Sequence, residues 1–315
     1  MTNKSCEDED FINLIATIGP SQTARRIGIT ERSTYTRIKN IEAKLGQKLP
    51  RPNKPVSPKE TVPGRLEIEV TDGMVVIGSD AHYWPGVIST AHKALVKFCE
   101  LNRHKIKAVV MNGDVFDGSS ISRFAPIGWE SRPTVQQEIE TCQARLWEIQ
   151  QAAPDAERYW PLGNHDARLE SRIAQQAPEF AMVKGVHLKD HFEAWKGCWS
   201  LWINDEVVIK HRFKGGVHAT HNNTVTSGKS MVTGHLHSQK VTPITDYNGD
   251  RWGVDCGTMA EIFGPQFTGY MEDSPRNWRS GFAVLTFVDG ELLQPELVRV
   301  IRPGVVDFRG RRWDV

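Results

Sequence analysis

Five short apolar runs in this chain each stop at a cluster of Asp, His or Asn, and that repetition restricts the available folds more than any other feature. Residues 74–79 (MVVIGS) run into Asp80-Ala81-His82, and 108–112 (AVVMN) into Gly113-Asp114-Val115-Phe116-Asp117. Residues 159–162 (YWPL) lead to Gly163-Asn164-His165-Asp166, 206–210 (EVVIK) to His211, and 231–233 (MVT) to Gly234-His235-Leu236-His237. Apolar runs of this length with polar ends read as buried strands, and stretches of helical periodicity at 89–102 and 135–152 separate the first three. Strands alternating with helices predict a layered α/β domain, in which ligands collect at the carboxyl ends of strands. After 207 the texture is mostly β. Asn248-Gly249 within 246–256, and Asp289-Gly290 between 281–288 and 292–301, are hairpin signals.

Carboxylate oxygens and imidazole nitrogens without a thiolate suit Mn²⁺, Fe or Zn²⁺ and offer little to soft Cu(I). An Asp-x-His at a strand end puts two donors beside one ion, and two ions sharing a carboxylate can hold both oxygens of an in-line displacement at phosphorus. Gly113, Gly163 and Gly234 let the backbone approach closely just before each donor. Each cluster is weak evidence alone; their order along the chain is the signal.

That order, D-x-H, G-D-x-x-D, G-N-H-D, a strand-final His and G-H-x-H, resembles the calcineurin-like metallophosphoesterases over about residues 73–260. The resemblance implies a four-layer αββα sandwich with a dimetal centre at one edge. It implies that Asp80, His82 and His237 bind one ion, that Asp114 bridges, and that Asn164, His211 and His235 complete the second. His165 would stand over the phosphate as a general acid, with Asp117 and Asp166 supporting the site. The ions implied are two divalent cations, Mn²⁺ ahead of Fe, Zn²⁺ or Mg²⁺. Two departures matter: Asp117 is followed by Gly118-Ser119, where the phosphatase branch has Arg-Gly, and His211 is followed by Arg212 where Gly is common. His218 and His221 lie close enough in sequence to compete with His211. The stretches 114–124 (DVFDGSSISRF), 163–169 (GNHDARL) and 277–282 (NWRSGF) resemble phosphoesterases of tailed phages and prophages. Arg123 and Arg168 then either reach substrate phosphates or form structural ion pairs.

Residues 48–64 carry five prolines interleaved with charge and read as an extended linker between a helical segment, 1–47, and a catalytic domain, 65–315. In the first segment an apolar face (Phe11, Ile12, Leu14, Ile15, Ile18), a cap at Ser21, small residues at Ala24 and Gly28, a second cap at Thr30 and a further apolar face (Ile38, Ile41, Leu45) outline three helices. Residues 28–38 resemble a Fis-type helix-turn-helix, with Thr34 where that pattern usually has Leu. From Ser21 to Arg51 there are eight basic and two acidic side chains, a net +6 in a chain whose total is only +1. Arg32, Ser33, Thr36, Arg37 and Asn40 on the outer side of the third helix are types that contact phosphates and base edges. A protein-interaction module is the competing reading.

The acidic N-terminus has no apolar leader, no run is long enough to span a membrane, and five scattered cysteines argue for a reducing compartment. The expectation is a cytoplasmic protein of a bacterial or phage-infected cell: a metal-dependent phosphodiesterase acting on nucleic acid, foremost a DNA nuclease brought to duplex DNA by its N-terminal module. The alternatives are a phosphomonoesterase or nucleotide phosphodiesterase with a recruitment module, and a DNA-binding regulator with an inactive enzyme fold.

Overall fold

The computed structural model describes residues 6–50, 62–274 and 276–315, which fall into two units, 1–60 and 61–315. In the first unit α1 (Asp8–Ile27) is broken at Gly19, where the backbone leaves the helical region (φ 79°, ψ 170°) just before Pro20. Proline lacks an N–H and starts a helix more readily than it continues one, so α1 is two helical stretches meeting at that point. Ser21 therefore lies in the first turn of the second stretch and not at its cap. That stretch ends on Gly28 in the left-handed conformation, and α2 (Glu31–Leu45) starts on Thr30, whose hydroxyl accepts from the Ser33 N–H. Phe11, Ile15, Ile38 and Ile41 form the core, joined by Leu49. Leu45, expected there, is half exposed. Glu42 accepts a hydrogen bond from the Leu49 N–H, so this unit extends past residue 47 into the segment read as linker. Residues 51–61, most of that segment, lie outside the described residues.

The second unit runs β1 (Leu66–Ile68), β2 (Gly73–Gly78), α3 (Thr90–Asn102), β3 (Ile106–Met111), α4 (Val135–Ala152), β4 (Glu157–Pro161), α5 (Arg168–Gln176), β5 (Lys196–Cys198), β6 (Leu201–Ile203), β7 (Val207–Ile209), α6 (Ala219–Ser227), β8 (Ser230–Thr233), β9 (Lys240–Asp246), β10 (Gly249–Asp255), α7 (Thr268–Met271), β11 (Gly281–Val288), β12 (Glu291–Leu292), β13 (Glu296–Arg302), β14 (Val305–Phe308) and β15 (Arg311–Asp314). Two sheets result, one ordered β15-β14-β13-β11-β2-β3-β4-β5 with β12 beside β11, the other β1-β6-β7-β8-β10-β9. In the larger sheet β2, β3, β4 and β5 are parallel, and in the smaller sheet β7, β8 and β10 are.

Alternation along the strands sorts their side chains between two cores. Val76, Val109, Phe282 and Val284 face α3 and α4 together with Leu95, Phe98 and Leu146. Val75, Ile77, Val110, Ala283 and Leu285 face the other way, against Ile203, Ile209, Val232 and Val254 of the smaller sheet. On the outer side of that sheet α6 packs against β8, β9 and β10. The order is helices, sheet, sheet, helix, the mixed α/β layering expected. The hairpin at Asn248-Gly249 joins β9 to β10, so the strand read as 246–256 is only its second arm. The first arm, β9, is an edge strand with Pro243 and mostly solvent-facing side chains. Likewise Pro295 splits the expected strand 292–301 into β12 and β13.

Phe282 is fully buried, with its ring edge-on to Phe98 at 5.7 Å. Phe282→Ala should lower the unfolding free energy by about 3–5 kcal/mol. All ten tryptophans lie beyond residue 83, so urea unfolding followed by their fluorescence reads this unit alone. A loss under about 1 kcal/mol would show that the site collapses and that the core is not packed as described.

Candidate metal centre

The carboxyl ends of β2, β3, β4, β7 and β8 meet at one edge of the sheets, and the turns after them are strained. Asp80, His82, Asp114, His235 and His237 have φ of 53°, 40°, 51°, 70° and 55°, five of the ten non-glycine residues with positive φ among those described. Such conformations cost on the order of 1–3 kcal/mol each and persist only where the surroundings impose them. Close approach does so here. A Cβ added at Gly163 would lie 2.0 Å from Asp114 Oδ1, one at Gly234 2.4 Å from Asp80 Oδ2, and one at Gly113 2.4 Å from His211 Nδ1.

Asp80 is fully buried, and its Oδ2 accepts from the His235 N–H at 2.8 Å and from Ser79 Oγ at 2.5 Å. Its Oδ1 faces three imidazole Nε2 atoms, of His237 at 3.1 Å, His211 at 3.9 Å and His82 at 4.0 Å. Asp114 is equally buried. Its Oδ1 accepts from the His165 N–H at 2.8 Å and its Oδ2 lies 3.1 Å from His211 Nε2. Two donor clusters follow, Asp80-His82-His237 and Asp114-His211-His235. Asn164 Oδ1 is buried without a hydrogen-bond partner, the mark of a lone pair aimed at something other than protein. A set of O and N donors converging from strained turns fits divalent cations.

A third cluster, His82-Asp117-His165, has a different explanation. His82 Nδ1 and His165 Nδ1 lie 2.7 and 2.9 Å from Asp117 Oδ1, so this carboxylate orients both rings and turns both Nε2 atoms inward, that of His165 against Arg168. Burial works against the charge on Asp117, but the hydrogen bonds from His165 and His82 hold its pKa well below the usual carboxylate range. Burial also opposes charge on His165, yet the Asp117 hydrogen bond and the Asp114 charge outweigh it and raise the imidazole pKa. At His211 burial is again overcome, by Asp114 and Asp80, to about 10. Asp80 is lowered to about 2, burial notwithstanding, by His211 and His237.

Asp166 accepts from the backbone N–H groups of Asp114, Val115, Phe116 and Gly163 and from Trp160 Nε1, tying the turns after β3 and β4 together. Arg168 stands inside the site, donating to the Asp117 carbonyl at 2.8 Å and lying 3.1 Å from His165 Nε2. Arg123 is exposed and stacks on Phe124. His218 and His221 are exposed at the start of α6, away from the buried cluster that holds His211. In the first unit Arg32, Ser33, Thr36 and Asn40 are exposed, but Arg37 is tied back, bonded to Asp8 Oδ1 and the Cys6 carbonyl with its guanidinium over the Phe11 ring. Arg37 is thus part of that unit's own packing.

Three contributors were given no role at the site by the sequence reading, although Trp278 lies in the stretch 277–282. Glu138 accepts from the Gly118 and Ser119 N–H groups and the Ser119 hydroxyl, holding the turn that carries Asp117. Its signal was there: a carboxylate in register with Cys142, Leu146 and Ile149 on the buried face of α4. Phe267 and Trp278 pack on His237, with ring centroids at 5.6 and 4.4 Å, from loops that carry no periodic pattern.

No family model matches the chain. It is similar to the Gene 54 protein of Mycobacterium phage L5, 28% identical over 235 residues, which covers 66% of this chain and 86% of that protein. Among solved structures it is similar to zinc-complexed Vps29 from Entamoeba histolytica, at 14% identity and a TM-score of 0.41, covering 76% of this chain and 98% of that one. It is also similar to a conserved uncharacterized protein from Streptococcus pneumoniae TIGR4 described as a predicted phosphoesterase, at 11% identity and a TM-score of 0.31, covering 78% and 99%. No helix among the described residues is long and apolar enough to cross a membrane.

The depressed pKa of Asp117 makes its ionised form a source of stability. A group whose folded pKa is lowered contributes fully above its unfolded value, about 3.9, and loses that contribution as the pH falls toward the folded pKa. Asp117→Asn should therefore be less stable than the parent near neutrality, with the gap narrowing below about pH 4. Urea denaturation of both proteins across pH 3–7 measures it; a gap independent of pH would show that the charge of Asp117 contributes nothing.

Proposed function

We propose that this chain is a dimetal-dependent phosphodiesterase of the metallophosphoesterase type that acts on nucleic acid, foremost as a DNA nuclease. The observation that carries this reading is the pair of donor clusters, Asp80-His82-His237 and Asp114-His211-His235, with the unpartnered Asn164 Oδ1 beside them. Asp80, His82 and His237 would hold one ion, Asn164, His211 and His235 the other, and Asp114 would lie between. Such ions, Mn²⁺ ahead of Fe, Zn²⁺ or Mg²⁺, supply Lewis-acid charge at phosphorus and lower the pKa of an attacking water.

The protein's own residues do the rest. Asp117 keeps the proton on the Nδ1 atoms of His82 and His165, so each ring presents Nε2. His165, whose imidazole pKa is raised by Asp117 and Asp114 against burial, is the group that would pass a proton from Nε2 to the leaving oxygen. Arg168 beside it disfavours the imidazolium, which eases that transfer, and its guanidinium offsets phosphate charge. A diesterase is favoured over a monoesterase because Gly118 follows Asp117 where monoesterases place a phosphate-holding Arg. An inactive regulator would have no use for so complete a set of donors.

Turnover of bis-p-nitrophenyl phosphate over p-nitrophenyl phosphate in Mn²⁺, abolished by chelator, is the expected result. His165→Ala should keep its metal content and slow cleavage by roughly 10²–10⁴, less for substrates with good leaving groups. Loss of metal in that variant would make His165 a ligand and overturn the scheme.

The exposed Arg25, Arg26, Arg32 and Lys39 of the first unit support duplex DNA as its partner, since each phosphate contact releases counterions. Residues 62–315 alone, and full-length Arg32→Glu, should then bind duplex DNA with a shallower dependence of log affinity on log salt than the intact chain. Arg37 is unsuitable for this test because reversing it would set an acid against Asp8. Equal slopes in a salt titration would remove DNA contact from this unit and leave recruitment of a protein as its role.

A further inference from the structure

A cavity of about 590 Å³ opens directly beside His235, and Trp199, Lys210, Arg212, Phe213 and Lys214 line it with no acidic residue among its lining. Trp199 and Phe213 are 43% and 47% exposed, large rings left facing water at the mouth of a polar site. Lys210 Nζ sits 5.8 Å from the Phe213 ring centroid and Lys214 Nζ donates to Thr226 Oγ1. Lys210 and Arg212 have no carboxylate partner among the described residues, in contrast to Arg65, Arg251 and Arg309, which do. Unpaired cations interleaved with exposed aromatic faces demand a ligand that offers both phosphate charge and flat π-surface.

We infer that this groove binds a single-stranded polynucleotide, its phosphates on Lys210, Arg212 and Lys214 and a base stacked on Trp199 or Phe213. Bases in a duplex are stacked on one another and cannot present a face to a protein ring, whereas an unpaired strand can, largely irrespective of sequence. The inference rests on the proposed phosphodiesterase reading in that the strand would run from the groove to the metal centre past His235.

The test uses the full chain and a thymidine oligonucleotide carrying iodouracil, cross-linked by light and mapped by mass spectrometry. Labelling of Trp199 or Phe213, suppressed by unlabelled single strand more than by the same concentration of duplex, is expected. In parallel, Trp199→Ala and the double variant Arg212→Ala/Lys214→Ala are assayed in Mn²⁺ on the oligonucleotide and on bis-p-nitrophenyl phosphate. The ratio of kcat/KM on the first to that on the second should fall roughly five- to a hundredfold for loss of one stacked base. Labels confined to residues 6–50, an unmoved ratio, or thymidine monophosphate competing as well as the oligonucleotide would each overturn the inference, the last by making the groove a mononucleotide pocket. Labelling at Trp199 or Phe213 without hydrolysis of any phosphodiester would uphold the groove and overturn the proposed activity. Hydrolysis of bis-p-nitrophenyl phosphate without that labelling would do the reverse.

Discussion

Asp80 and Asp114 are carboxylates removed from water whose ion-pair partners are imidazoles. A buried charge is tolerated only when it is paired and hydrogen-bonded, and much of the second unit is arranged to meet that condition. Ser79 and the His235 N–H satisfy one oxygen of Asp80, Thr258 Oγ1 bonds the Asp80 carbonyl, and the His165 N–H satisfies one oxygen of Asp114. The oxygens left over face Nε2 atoms. Those atoms are aimed in turn: His82 by Asp117, and His211 through Nδ1 on the Asn112 carbonyl. Remove the parallel strands that bring these turns to one edge and the charges have no reason to be buried.

How much of this was legible depended on whether chemistry and periodicity coincided. The strand ends were readable because buried β2, β3, β4, β7 and β8 are apolar runs, and the donors follow them immediately. The helices α3 and α4 were readable from their spacing, though the caps at Ser89 and Thr134 were not singled out. Edge strand β9, short strands β1, β5 and β6, and the C-terminal β14 and β15 were not. Three-residue strands hold too few alternations to declare a period, and β9 has little burial to record. Partnership across the sequence was also hidden. Nothing local says that Asp117 serves two histidines, or that Glu138 holds the turn from a helix twenty residues on.

The first unit teaches the complementary lesson. Its helix breaks at Gly19 and Gly28 follow from backbone chemistry, but the function of its arginines does not follow from their spacing. Arg37 lies in register with Ser33 on the helix, yet its planar guanidinium finds Asp8, a carbonyl and a phenyl ring within its own unit. Positive charge counted along a sequence overstates the charge available to a partner whenever acidic residues at the chain's start fold back on it.

The left-handed turns that carry the donor clusters also decide how such a site can be lost. Asn and Asp tolerate that backbone region better than other residues with a side chain, and glycine enters it freely. At Asp80 and Asp114 an exchange to Asn removes a charge while leaving the turn nearly at ease, whereas Ala removes the charge and also raises the cost of the turn. Exchange to Asn or Gly at these positions is therefore a low-strain route that would keep the sheet edge intact. A stable relative with Asn in place of both carboxylates would keep the scaffold while losing its two buried charges.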